Sequence, residues 1–106
     1  LWADDCNGTR LGADGLGDRG VRAESVGIKA AEQLVNAVSI GNAIDSHLGD
    51  MIIPYLAVAT GESRIGIADV TSHLTTNLWT IKQILDTTIQ LDGEIGKPGI
   101  LKVLGQ

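Results

Sequence analysis

The stretch TSHLTTN, residues 71–77, gathers one histidine, four hydroxyl side chains and an amide within a few residues. Imidazole titrates near neutrality, attacks phosphorus as the neutral ring and leaves readily once protonated. A histidine so placed can therefore serve as a nucleophile in phosphoryl or nucleotidyl transfer. An apolar alternation precedes His73 and a helix-like pattern follows it, which predicts a strand-to-helix loop. Such a loop exposes unpaired backbone N–H groups and the positive end of a helix dipole, both of which favour an anion such as phosphate. A hydrogen-bonded loop histidine with no chemistry is the alternative, and the residues alone leave both readings open.

His47 and Asp50 are the second pair of interest. They lie one turn apart on the flank of an apolar stripe, where they could meet a base edge, a ribose or a metal, or simply flank a helix. Pro54 has no N–H, so the Asp50 carbonyl loses its helical partner; a kink and a free acceptor are expected there. No pair of ligands has zinc-like spacing on a common loop or helix, so no protein metal site is expected. GxSxG, Walker A and GxGxxG patterns are missing. The segment Gly15–Gly20 lacks the spacing of a phosphate loop and reads as a solvated loop. Trp2, Tyr55 and Trp79 read as packing residues rather than a base-stacking platform.

The elements that must hold these residues follow from periodicity. Leu1–Cys6 and Arg10–Leu16 flank Asn7-Gly8, which suits a type I′ hairpin turn. Val26, Ala30, Leu34, Val35 and Val38 have helical spacing and predict a helix over 23–38. A second helix is predicted over 43–59, capped by Asn42 or Asp45, with Ile44, Leu48, Met51, Ile52, Tyr55, Leu56 and Ala59 on one broad stripe. Arg64–Val70 alternates as a strand. A third helix is predicted over 76–85 with Thr75 or Thr76 as cap, then strands at 88–91 and 100–104 around the loop Gly93–Gly99. The order ββααβαββ predicts an α+β (α/β sandwich) fold, with two helices packed on a mixed four-stranded sheet plus an N-terminal hairpin.

Composition narrows the possibilities. The 106 residues suit one domain, and 43% apolar with 20% charged residues is the balance of a globular core. Phe is absent, so that core must be aliphatic. The net charge of -5 and isoelectric point near 4.7 give no electrostatic footprint for nucleic acid; an RNA substrate would have to be attracted by other parts. A single Cys6 without a CxxC partner points to a reducing compartment, and no leader or membrane-spanning run is visible, so a cytoplasmic location without membrane partners is expected. A chain opening Leu1-Trp2 reads as a piece of a longer one.

Three runs then accumulate into a resemblance: LWADDCNGTRLGADGLGDRGVRAE (residues 1–24), HLGDMIIPYLA (residues 47–57) and TSHLTTN (residues 71–77). In matching order over nearly the whole chain, they resemble the C-terminal part of the RNA 3'-terminal phosphate cyclases. The resemblance implies that residues 1–106 are a single domain, the last fold repeat of the cyclase catalytic domain, with two helices on a four-stranded sheet as in the C-terminal domain of translation initiation factor three. The N-terminal repeats of the parent chain are then a partner, and the fragment alone is expected to be inactive.

It further implies ATP and a divalent metal, Mg or Mn, as cofactors and RNA 3'-phosphate ends as substrate, converted to 2',3'-cyclic phosphates. The family's histidine motif, His followed by Leu, a variable position, Thr and Asn, corresponds to His73, Leu74, Thr76 and Asn77, which makes His73 the adenylylated residue. The family's nucleotide-contacting run corresponds to His47, Leu48, Gly49, Asp50 and Met51. Asp50 matches, whereas His47 stands in place of Tyr and Met51 in place of Gln, losing an amide. A related ribosome-biogenesis protein that lacks the nucleophile and binds protein and pre-ribosomal RNA is the alternative, against which His73 speaks. A structural module with an inert His73 is a third.

Overall fold

A computed structural model describes residues 1–105. The elements run β1 (Trp2–Asp4), β2 (Arg10–Gly12), α1 (Ala23–Ile40), α2 (Ser46–Val58), β3 (Glu62–Ile67), α3 (Ser72–Ile84), β4 (Thr88–Asp92) and β5 (Gly99–Leu104). Their order and the α+β class are those expected from the sequence. The sheet differs. It has three strands in the order β3-β5-β4, all antiparallel, and the hairpin β1-β2 forms a separate ribbon. Beyond these ladders the described residues form two isolated parallel bridges, Ile44 with Ile67 and Val70 with Ile95, and no fourth strand joins the sheet.

Burial explains which faces meet. β5 alternates buried and exposed from Gly99 to Leu104, so Leu101 and Val103 point to the helices and Lys102 to solvent. On the same side, Ile53 of α2 and Leu74 and Leu78 of α3 complete an aliphatic core with Ile67, Val70 and Ile89. A smaller cluster of Leu11, Ala37 and Ala68 seats α1 on the hairpin. Two polar links join the clusters: the Gly12 N–H donates to Asp45 Oδ2 at 3.0 Å, and Asn42 Nδ2 donates to the Ile67 carbonyl at 2.7 Å. Among the described residues, no helix is long and apolar enough to cross a membrane.

The hairpin turn is not type I′. Asn7 has no positive φ; only Gly8, at φ 81°, is left-handed, and the Asp5 carboxylate accepts the N–H groups of Asn7 and Thr9, each at 2.8 Å. The Gly8 N–H closes on the Asp5 carbonyl, so the turn is wider than a two-residue loop and is ordered by an acidic side chain. Across the ribbon, Arg10 donates to both carboxylate oxygens of Asp4, at 2.6 and 2.9 Å. Those hydrogen bonds hold the Asp4 carboxyl below its ordinary range. A carboxyl lowered by folding stabilises at pH above its unfolded value and loses that contribution as pH falls through the folded one. Asp4→Asn should thus lower the urea midpoint slightly at neutral pH, and the difference should close in acid; a gap that persists at low pH would refute this role.

Not every apolar stripe is covered. Val35, Val38, Met51 and Tyr55, placed by periodicity on packing faces, are exposed, as are Trp2 and Trp79. The three aromatic residues expected to pack are therefore exposed: Tyr55 and Trp79 lie on α2 and α3, which the three-stranded sheet covers on one side only, and Trp2 lies on the separate two-stranded ribbon.

Candidate functional site

Helix α3 starts four residues earlier than expected, and Thr71, not Thr75 or Thr76, is its cap. Thr71 is extended (φ -97°, ψ 162°), and its Oγ1 accepts the Leu74 N–H at 2.9 Å. Thr75 and Thr80 instead donate back to the carbonyls of Ser72 and Thr76, which lets β-branched hydroxyl residues sit inside the helix. His73 therefore lies in the first turn of α3 rather than in a loop, and it is exposed. Of the first-turn donors, those of Leu74 and Thr75 are taken by Thr71, whereas the N–H groups of Ser72 and His73 meet no acceptor among the described residues. The amides expected to favour an anion are thus those of Ser72 and His73 itself, in the turn that carries the histidine.

Asp50 joins this turn to α2. As Pro54 requires, the Asp50 carbonyl has no helical donor, and Asn77 Nδ2 occupies it at 2.7 Å. The Asp50 carboxylate accepts a short hydrogen bond from Thr71 Oγ1. Asn77 is one turn beyond His73, so the two positions share the side of α3 from which Asn77 reaches α2. The segments carrying His73 and Asp50 are therefore brought together. Neither Thr71 nor the Asn77 amide was singled out by sequence reasoning as a partner of Asp50; the acceptor was legible from Pro54, but a donor 27 residues away was not.

The other residues of the 47–51 run separate by face. Gly49 is buried, and a Cβ there would lie 3.0 Å from Ile67 Cγ2, so its smallness lets α2 lie close against β3. Any residue but proline gains up to about 1 kcal/mol of helix propensity over Gly, but overpacking costs about 1–3 kcal/mol. Because Ile67 is fully buried and cannot yield, Gly49→Val should be destabilising by about 1–2 kcal/mol; a thermal melt matching the parent would contradict this packing role. Leu48, Met51 and His47 are exposed. His47 Nε2 lies 3.3 Å from Asp14 Oδ1, a contact with no sequence signal, at an open cavity of about 340 Å³ lined also by Leu1, Gly12, Ala13 and Asp45. No group of three or more His, Cys, Asp or Glu side chains among the described residues is placed to hold a metal ion.

Comparison with known proteins agrees with the family resemblance. The family model described as RNA 3'-terminal phosphate cyclase matches residues 9–91. Proteins named RNA 3'-terminal phosphate cyclase from Methanopyrus kandleri and Pyrococcus abyssi are each 47% identical to this chain, over 97% and 98% of it. One from Caldivirga maquilingensis is 49% identical over 85%. The aligned regions make up only 29%, 30% and 25% of those relatives' own lengths. With the family model matching most of its length and relatives above 40% identity covering nearly all of it, the chain belongs to the RNA 3'-terminal phosphate cyclase family.

Proposed function

We propose that the protein carrying this segment converts RNA 3'-phosphate ends into 2',3'-cyclic phosphates at the expense of ATP, with His73 as the residue that takes up AMP. The observation that carries this reading is the exposed His73 ring in the first turn of α3, beside two unpartnered backbone N–H groups and tied through Thr71 and Asn77 to Asp50. In the first step a ring nitrogen of His73 bonds to the α-phosphorus of ATP while the bond to the bridging oxygen breaks and pyrophosphate leaves. An oxygen of the RNA 3'-phosphate then attacks the same phosphorus and the N–P bond breaks, freeing the imidazole. Finally the vicinal 2'-OH, losing its proton, attacks the 3'-phosphorus and AMP departs.

The free amides of Ser72 and His73 suit the α-phosphate's developing negative charge. His47, Leu48 and Met51 offer exposed side chains to the nucleotide; Gly49 acts through packing and Asp50 through its links to α3. A divalent metal, Mg or Mn, would neutralise phosphate charge. The described residues assemble no three-ligand set for it. The segment spans about three-tenths of its relatives' length, and alone it is inactive in this reading, with RNA attracted by the remainder of the protein. The acidic balance of the segment, -5, supports that division.

The test is incubation of the intact protein with ATP labelled at the α-phosphate. Covalent label that is acid-labile and released by hydroxylamine, and that is chased onto RNA 3'-phosphate, is the expected result. A protein that binds RNA but takes no label would favour the non-catalytic, ribosome-biogenesis type of relative and overturn the proposal.

A further inference from the structure

We infer that Pro54 and Asn77, with Thr71, form a latch between α2 and α3 that positions the His73 imidazole. The inference rests on the proposed role of His73. Among the described residues, Asp50 is the residue of α2 that takes hydrogen bonds from the side chains of both Thr71 and Asn77: its carboxylate takes the Thr71 hydroxyl and its carbonyl takes the Asn77 amide, the latter at 2.7 Å. His73 lies between those two positions on α3. Both ends of the turn that carries it are therefore bonded to one residue of the neighbouring helix.

The acceptor exists because of the proline. In an ordinary helix the N–H of residue 54 would occupy the Asp50 carbonyl, and Asn77 would have no orphan acceptor to satisfy. Pro54 is itself exposed and packs nothing in the core, so removing a helical donor is its visible effect. Thr71 adds a second function to capping: while its oxygen accepts the Leu74 N–H at 2.9 Å, its hydroxyl hydrogen is spent on Asp50, which fixes the rotamer of the cap and the start of α3. Two bonds from different atoms of Asp50 leave α3 little freedom to roll or slide against α2. Rolling is the motion that would carry the His73 ring away from a phosphorus atom. None of the three touches substrate in this arrangement; they are positioning residues.

The two variants that test this differ in their effect on stability. Asn77→Asp keeps the shape but loses the donor, and should lower stability. Pro54→Ala restores the helical N–H and a good helix former, so stability should hold or rise, while the carbonyl is drawn back towards its own helix and the Asn77 bond loosens. In the intact protein, single-turnover formation of the covalent AMP adduct should slow roughly 10- to 100-fold in both variants, with the half-saturating ATP concentration changing less than about 2-fold. The His73 ring signals in a carbon-proton correlation spectrum should shift in both. Asn77→Gln, which keeps the amide donor, should recover part of the rate.

A purely structural role predicts something else: adduct formation per folded molecule at the parental rate in Asn77→Asp, and no loss in Pro54→Ala. Either outcome, with label still on His73, overturns the latch while leaving His73 as nucleophile. Label that stays on the protein after His73→Asn overturns the nucleophile and the latch with it.

Discussion

Ile53→Ala should lower the thermal unfolding midpoint of the 106-residue chain by roughly 15–25 °C, an effect read by circular dichroism. Ile53 is fully buried on α2, between Gly49 one turn before and Ala57 one turn after, both also buried. Removing the branched side chain forfeits the transfer free energy of the lost carbons and leaves a cavity, together about 3–4 kcal/mol for such a site. The walls have little freedom to close it. Ile67, Leu101 and Val103 are fully buried on strands held in register by the β3-β5-β4 ladders, and Leu74 is fixed at the capped start of α3. At about 4–8 °C per kcal/mol for a chain of this size, the loss corresponds to about 12–32 °C, and the stated shift is the middle of that range. Val58→Ala on the exposed side of the same helix is the control and should change stability by less than about 0.5 kcal/mol. Equal shifts in the two variants would show that the core is not centred where burial places it.

The same contrast between Ile53 and Val58 marks what could be seen in the sequence. Periodicity located all three helices and the strands at 62–67, 88–92 and 99–104 to within a few residues, because alternation and helical spacing are local properties. It also marked Val35, Met51 and Tyr55 as members of apolar stripes, but a stripe does not state whether anything covers it, and here they are exposed. The turn at Asn7-Gly8 went wrong for a related reason: the Asp5 carboxylate, outside the dipeptide, organises the loop. Hydroxyl abundance hid the start of α3. Thr71, Ser72, Thr75 and Thr76 are all able to cap, and what selects Thr71 is tertiary, since its hydroxyl also meets Asp50 across the helix pair. The candidate site was therefore legible as residue types and as an orphan carbonyl at Asp50, and illegible as partners.

His73→Asn carries the largest expected functional effect and among the smallest structural ones. The residue is exposed, and its side chain makes no hydrogen bond among the described residues, so its loss removes little packing and orphans no partner. Stability should stay within about 0.5 kcal/mol of the parent. On the proposed mechanism the variant has no nitrogen able to bond to phosphorus, and adduct formation in the intact protein should fall at least about 10³-fold, to background. The neighbouring carboxylate behaves differently. Asp50→Asn keeps the backbone carbonyl that Asn77 uses and, through its amide oxygen, an acceptor for Thr71, so it should retain measurable labelling while His73→Asn retains none. The ranking separates a nucleophile from the residue that anchors its helix, and it depends on the bond each atom makes. If His73→Asn instead kept parental labelling, with the label mapped to another side chain, the covalent role would move away from α3. The two free amides at its start would then be ordinary solvated donors of a helix end.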